Sequence, residues 1–257
     1  MSLAFRRNAA APFAQSHPVV RLIAAAALFV PPFFRESVEY QVGYVLLMFL
    51  AVLATGALGN LWRLKGIALS IFFVSLALWS LTLPGETLLW RLGPLEVHRE
   101  ALLIGLSRAV RLLSFLMIGV TFLTLTSIEE FTYGLHRLGL PYRACFSVTL
   151  SFRLAPLFLE AALQIANAQR TRGLDLDEGN FLARWRRYLP LMMPVVVSGF
   201  RRADQLAVAL EAKGFSLPGR RVFPAVYSFT WREALLLCGV FLLNIGAYFF
   251  ADIRLAV

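Results

Sequence analysis

Two stretches 41 positions apart share one pattern: Ala168-Gln169-Arg170-Thr171-Arg172-Gly173-Leu174 and Ala209-Leu210-Glu211-Ala212-Lys213-Gly214-Phe215. In each, a small residue is followed by a cation, a glycine and a hydrophobe. Glycine just past a last helical turn takes up the left-handed backbone that closes the helix. A cation before it meets the negative end of the helix dipole. One such stretch is ordinary capping with a solvated cation. Two matched copies, in the polar segment of an otherwise apolar chain, read as two equivalent docking points able to hold two copies of a partner.

Other chemistry is sparse. The chain has no G-x-x-x-x-G-K-[ST] loop, so it is not expected to hydrolyse ATP itself. His17, His98 and His136 have no partner at i+4 and no carboxylate cluster, so no metal site is expected. There is no G-x-S-x-G elbow and no multi-aspartate signature of a lipid-head transferase. Glu129 and Glu130 follow Ser127 with the spacing of a capping box, which accounts for them better than metal chemistry does. Asp175, Asp177 and Glu178 read as a solvated loop. No catalytic residue, cofactor or metal ligand is assigned.

The elements that hold the two stretches are set by composition. Of 257 residues, 59% are hydrophobic and 16% charged, with mean hydropathy +0.69. Soluble domains carry about 45–50% apolar and about 25% charged residues, so the chain reads as an integral membrane protein. Its net charge of +10 suits basic cytoplasmic loops and anionic headgroups, and the long apolar runs argue against a nucleic-acid partner. Cys145 and Cys238 lie in apolar surroundings and read as buried small hydrophobes rather than a disulfide. Residues 1–18 do not read as a cleaved signal peptide.

A span needs about 20 mostly apolar residues. Candidates are 19–34 (short, ended by Pro31-Pro32), 38–58, 64–83, 101–126 and 231–250. The stretch 90–98, with Gly93-Pro94, reads as a connection or short interfacial piece. Arg108 and Arg111 share a face of the fourth span. Glu36 and Glu39 sit at the ends of the first two spans. No acid lies mid-span, which argues against a proton-coupled transporter or an enzyme.

From 127 to 228 the apolar residues recur at helical spacing and thirteen of the 25 cations collect. This predicts amphipathic helices over 142–172, 184–197 and 198–213, the middle one broken by Pro190 and Pro194. The expected fold class is all-α: about five transmembrane helices plus a cytoplasmic domain of two or three amphipathic helices. Expected divisions are 1–126 (tail and four spans), 127–229 (cytoplasmic helices) and 230–257 (last span and tail). Arg6, Arg7, Arg63, Lys65 and the large basic segment place the N-terminus and that domain inside the cell.

These residues carry a family likeness. Leu125-Thr126-Ser127-Ile128-Glu129-Glu130, Leu138-Gly139-Leu140-Pro141 and the helix ending in Arg170-Thr171-Arg172-Gly173 resemble the T component of energy-coupling factor transporters. Ala212-Lys213-Gly214 resembles that family's second Ala-Arg-Gly motif, with lysine for arginine. His17-Pro18 with Arg21 resembles its N-terminal Asp-Pro-Arg/Lys, with histidine for aspartate. Gly93-Pro94-Leu95, Arg108 and Arg111 also sit as the family has them.

The resemblance implies a non-catalytic scaffold in a bacterial or archaeal cell membrane. It would couple two cytosolic ABC-type ATPase subunits to a small membrane substrate-binding subunit for uptake of a vitamin or transition-metal ion. Thr171, Arg172, Gly173, Ala212, Lys213 and Gly214 would dock the ATPases, supported by Ala168, Gln169 and Glu211. The alternative is the permease of an ordinary ABC importer. Glu160-Ala161-Ala162 fits that class, but Ala166 stands where it carries glycine.

Overall fold

In the computed structural model, residues 16–85, 87–92, 95–173, 181–215, 227 and 230–252 are described. The element order is α1 (Pro18–Leu28), a 3-10 turn (Pro31–Phe33), α2 (Val38–Thr55), α3 (Leu58–Arg63), α4 (Lys65–Thr82), β1 (Leu88–Leu92), β2 (Leu95–His98), α5 (Arg99–Leu125), α6 (Ile128–Arg137), α7 (Tyr142–Thr171), α8 (Phe181–Ala212) and α9 (Trp231–Asp252). The chain is an all-α membrane protein with one small hairpin. Helices α2, α4, α5 and α7 are long and apolar enough to cross a membrane, and Pro18–Phe33 and Glu233–Tyr248 are shorter apolar stretches. The sequence reading counts α7 among the amphipathic helices, yet its length and composition would also suffice for a span.

The chain divides into two compact units, Met1–Gly139 with Ala225–Val257, and Leu140–Pro224. In the first, α5 is the central post, packed by α4 on one side and α2 on another. The α4 contact uses small residues: Ala101 and Ala109 are fully buried, and Gly105 lies between them at four-residue spacing. Such a stripe lets two backbones approach closely in a membrane. A Cβ on Gly105 would stand 3.2 Å from the Leu76 carbonyl oxygen and 3.3 Å from the Ser80 nitrogen. Gly105→Leu should therefore lower stability by about 1–3 kcal/mol through overpacking. Gly119→Leu, where a Cβ meets nothing within 4 Å, should be close to neutral. Thermal unfolding of the two variants in detergent reads the difference.

The α2 contact is layered: Tyr44, Met48 and Ile118 form one cluster, and Val52, Ala57 and Val120 the next. Between α2 and α4 the chain turns at Gly56, whose φ of 68° is left-handed, and α3 follows. The Asn60 amide donates to Thr124 Oγ1 at 2.9 Å, a buried hydrogen bond that pins α3 to α5.

Three expectations need correction. Leu88–Leu92 and Leu95–His98 are paired antiparallel strands, Leu88 opposite His98 and Leu92 opposite Leu95, rather than an irregular connection. Alternation is hard to recognise in so short and apolar a run. Cys238 is exposed on α9 rather than buried, since a helix facing lipid keeps apolar residues outside. Helix α8 runs without a break through Pro190 and Pro194. These prolines lie four apart, so both lost hydrogen bonds fall on one side of the helix, and the ladder on the other sides continues.

In the second unit, α7 and α8 form an antiparallel pair. The Phe215 ring, just past the end of α8, stands 4.6 Å from Phe146 near the start of α7. A Cβ on Gly199 would meet Phe158 at 3.8 Å. Much of the pair's apolar surface is open, Leu159, Met193 and Phe200 being 63%, 70% and 69% exposed.

Candidate functional site

Both matched stretches end helices. Helix α7 closes with Arg172 at its C-cap; the Gly173 N–H bonds the Arg170 carbonyl at 3.0 Å, and Gly173 has φ +88°. Thr171 Oγ1 donates to the Ala168 carbonyl at 2.8 Å. Helix α8 closes in the same way. The Gly214 N–H bonds the Glu211 carbonyl at 2.8 Å, the Phe215 N–H bonds the Leu210 carbonyl at 2.9 Å, and Gly214 has φ +71°. That pair of bonds is a Schellman closure, and only glycine takes the left-handed position without strain.

The closures are made by backbone bonds, so the Arg172 and Lys213 side chains do not form the caps. Ala168, Arg170, Thr171, Arg172, Ala209, Glu211, Ala212 and Lys213 are all exposed, and Gln169 is half-buried. Because the helices are antiparallel, Arg172 and Lys213 lie at opposite ends of the pair. Arg172 is fourteen residues past Phe158, and Lys213 fourteen past Gly199. At about 1.5 Å per residue each cation stands about 20 Å from that contact. The structure thus offers two similar cationic tips, far apart, on stiff rods. A further basic cluster, Arg184, Arg186 and Arg187, lies in the part of α8 whose side chains are outside the described residues; Asp175, Asp177 and Glu178 are themselves outside the described residues.

A second set of polar residues gathers in the first unit, where α1 begins and α5 ends. Ser127 caps α6: its hydroxyl accepts from the Glu130 N–H at 3.2 Å, and Glu130 Oε2 accepts from the Ser127 N–H at 2.9 Å. The capping box is as expected. Its carboxylate does more, accepting from Arg21 Nη1 at 3.1 Å, with the two side chains 8% and 4% exposed. Arg21 also donates to the Leu125 carbonyl. Sequence reasoning singled out Arg21 and Glu130 separately and missed the pair, which is 109 residues apart. The one available signal was that an arginine in the first turn of an apolar helix needs a carboxylate if it is buried.

His17 caps α1: its Nδ1 accepts from the Val19 N–H at 3.2 Å. Its own N–H donates to Glu233 Oε1 at 2.5 Å, and Glu233 Oε2 accepts from the Thr230 N–H at 3.0 Å, so the starts of α1 and α9 are tied together. Burial holds the imidazole below its ordinary 6.5; Glu233 pulls it up, and the Arg137 and Arg21 charges push it down again.

The cap requires the neutral ring. The unfolded chain therefore binds the proton more readily than the folded one, and stability rises with pH across this window. The cap's contribution is complete above about pH 6.5 and fades as pH falls through the lowered folded value. Hydrogen exchange at the Val19 amide, corrected for intrinsic rate, should therefore accelerate on acidification. In His17→Asp the loss should move down to the carboxylate range.

Arg108 and Arg111 face protein, as deep arginines in a span should. Glu36 Oε1 lies 3.6 Å from Arg108 and 3.8 Å from Arg111, with Arg108 stacked 3.9 Å over the Trp79 ring. They brace α5 against α4 and the 3-10 turn and are distant in sequence from the two helix tips.

Known proteins resemble this chain along most of its length. The profile of the family described as CbiQ, cobalt transport protein, matches residues 11–223. The energy-coupling factor transporter transmembrane protein EcfT of Heliobacterium modesticaldum is 35% identical over 206 residues, 76% of this chain and 75% of that one. EcfT of Acidaminococcus fermentans is 34% identical over 151 residues, 56% of each chain. EcfT of Streptococcus equi subsp. equi is 30% identical over 173 residues, 63% of each. The match spans from 56% to 75% of the length of these curated relatives.

Proposed function

The chain belongs to the CbiQ family of transmembrane T components of energy-coupling factor transporters, and from that membership we propose that it is the scaffold on which two cytosolic ABC-type ATPases drive a small membrane substrate-binding subunit. The cargo class is a vitamin or a transition-metal ion, chosen by the partner subunit. One observation carries the reading. Two exposed cations, Arg172 and Lys213, sit on matched glycine-closed ends of α7 and α8, at opposite ends of one antiparallel pair. Two ATPases need two separated points of attachment, and a stiff helix delivers motion from each. The exposed apolar faces of α7 and α8 favour a membrane-embedded partner lying against them.

On this reading residues 127–229 and the N-terminus face the cytoplasm, in a bacterial or archaeal cell membrane. Residues 171–173 and 212–214 are the docking tips, with Ala168, Gln169 and Glu211 supporting them. Each cation would enter an acidic groove on one ATPase through charge-assisted hydrogen bonds. Lys213 offers a point charge rather than a planar fork, so the two docks differ in geometry. The test is a tagged chain recovered from native membranes in mild detergent, its companions identified by mass spectrometry. ATPase chains and a small hydrophobic protein are expected to come with it. Recovery alone, or as a homodimer without ATPase, contradicts the proposal.

A further inference from the structure

The charges beside the 3-10 turn do not balance. Glu36 Oε1 faces both guanidiniums, at 3.6 Å from Arg108 and 3.8 Å from Arg111. Two cations against one anion leave one positive charge in excess. Arg35 and Glu39, nearby along the chain, are of opposite sign and do not change the excess. Arg111 is committed inside the fold: its side chain is 13% exposed, and its Nη2 donates to the Arg35 carbonyl at 3.4 Å. Arg108 is not. The Trp79 ring covers one face of its guanidinium. Glu36 stands beyond hydrogen-bonding distance, and no other acceptor among the described residues bonds it. Its side chain is 26% exposed and its nitrogens reach the surface, while Glu36 beside it is 53% exposed.

Arg108 also lies at the level of lipid headgroups. Helix α5 finishes at Leu125, and the Asn60–Thr124 hydrogen bond sets α3 level with that end. Arg63 and Lys65 follow Asn60 directly, which marks this level as one membrane face. A hydrocarbon layer of about 30 Å corresponds to about 20 residues of helix, so it reaches the opposite face near Gly105. Arg108 is about 5 Å inside that face. Helical side chains lean toward the helix N-terminus, and for Arg108 that is toward the headgroups.

On the hydrocarbon side of the cations lies an open aromatic shelf. Phe115, seven residues on from Arg108 and therefore on the same face, stands 5.4 Å from Phe33 and 5.3 Å from Phe29. Phe33 is 65% exposed and Phe29 37%. The Arg111 guanidinium lies 5.7 Å over the Phe33 ring, so charge and shelf adjoin. A cation at the headgroup level with apolar surface beneath it repeats the order within a phospholipid. A phosphodiester carries one negative charge, which matches the excess, and its oxygens are the acceptors that Arg108 lacks. A free phosphate would leave the shelf unused, and a neutral acyl chain would leave the charge unmatched.

We propose that Arg108, steadied by Trp79 and Glu36, binds the phosphate of one membrane phospholipid whose acyl chains lie against Phe33 and Phe29. The bound lipid neutralises the cluster and covers the turn between α1 and α2.

The test is native mass spectrometry of the full chain in detergent, titrated with phosphatidylglycerol, reading the first lipid adduct. One tightly held lipid is expected. Arg108→Gln should weaken it about tenfold, the loss of a charge-assisted hydrogen bond. Glu36→Gln should tighten it severalfold, because the competing carboxylate is gone; a cluster that served only as a brace would instead hold the lipid no better. Diacylglycerol with the same chains should not replace the lipid, and excess inorganic phosphate should not displace it. Equal retention by Arg108→Gln, displacement by inorganic phosphate, or equal binding of diacylglycerol would each overturn the proposal. Should Arg108→Gln fail to fold, Glu36→Gln decides alone: tighter binding supports the proposal, and unchanged or weaker binding overturns it.

Discussion

Arg172→Glu with Lys213→Glu is expected to abolish ATP-driven uptake and to release the ATPases, while the chain still inserts and folds. Both side chains are exposed and neither makes the cap, which is formed by backbone bonds to Gly173 and Gly214. The internal cost is limited to an anion replacing a cation at a helix C-terminus, about 0.3–1 kcal/mol per site. The cost at the docks is larger. A hydrogen bond to a charged group contributes about 1.5–3 kcal/mol, or about tenfold to a hundredfold in affinity, and reversal adds repulsion against an acidic groove. On the proposed reading the two tips hold one ATPase pair, so weakening both also removes the benefit of bivalent attachment. Co-purification and vesicle uptake read the outcome, with Lys213→Arg as the variant that should keep or strengthen binding. Undiminished uptake by the double variant would remove these tips from the mechanism.

Glu130→Gln is expected to be the most destabilising conservative change in the first unit. Glutamine retains the capping box with Ser127 but leaves the Arg21 charge without its counter-ion. Both side chains are more than nine-tenths buried, and removing one member of a buried pair costs about 3–5 kcal/mol. Replacing both by residues that carry no charge removes the penalty at its source, so Arg21→Met with Glu130→Gln should recover much of the loss. Denaturant unfolding of the purified chain separates the three. Equal stability of the single and double variants would mean that the pair is not the reason Arg21 can be buried. The same residues join α1, the end of α5 and α6, so the single variant should also loosen the Leu125–Glu130 junction to hydrogen exchange.

What the sequence revealed, and what it hid, divides along physical lines. Local chemistry was legible. The capping box at Ser127 and Glu130, the glycine closures at Gly173 and Gly214, and α7 at Tyr142–Thr171 all follow from signals within a few residues of one another. Tertiary pairing was not. Arg21 and Glu130 meet across 109 residues, and nothing in either neighbourhood names the other. The prolines at 190 and 194 are local signals that misled, since helix termination by proline is a tendency that a long, otherwise well-formed helix can absorb on one side. The hairpin at 88–98 was lost because two strands of five and four residues leave too few alternations to register. At the candidate site the glycine closures and the exposed cations beside them were legible because those parts are local; the docking role given to them is a proposal.

The central claim is that the ends of α7 and α8 each touch an ATPase. Photo-reactive residues placed at Ala168 and Ala209, exposed and one turn before each cation, test it in native membranes without disturbing Arg172 or Lys213. The account predicts that each position cross-links to an ATPase subunit, and that a chain carrying both captures two ATPase chains at once. Cross-links from neither position to any ATPase, or from both to a second copy of this chain, would contradict it.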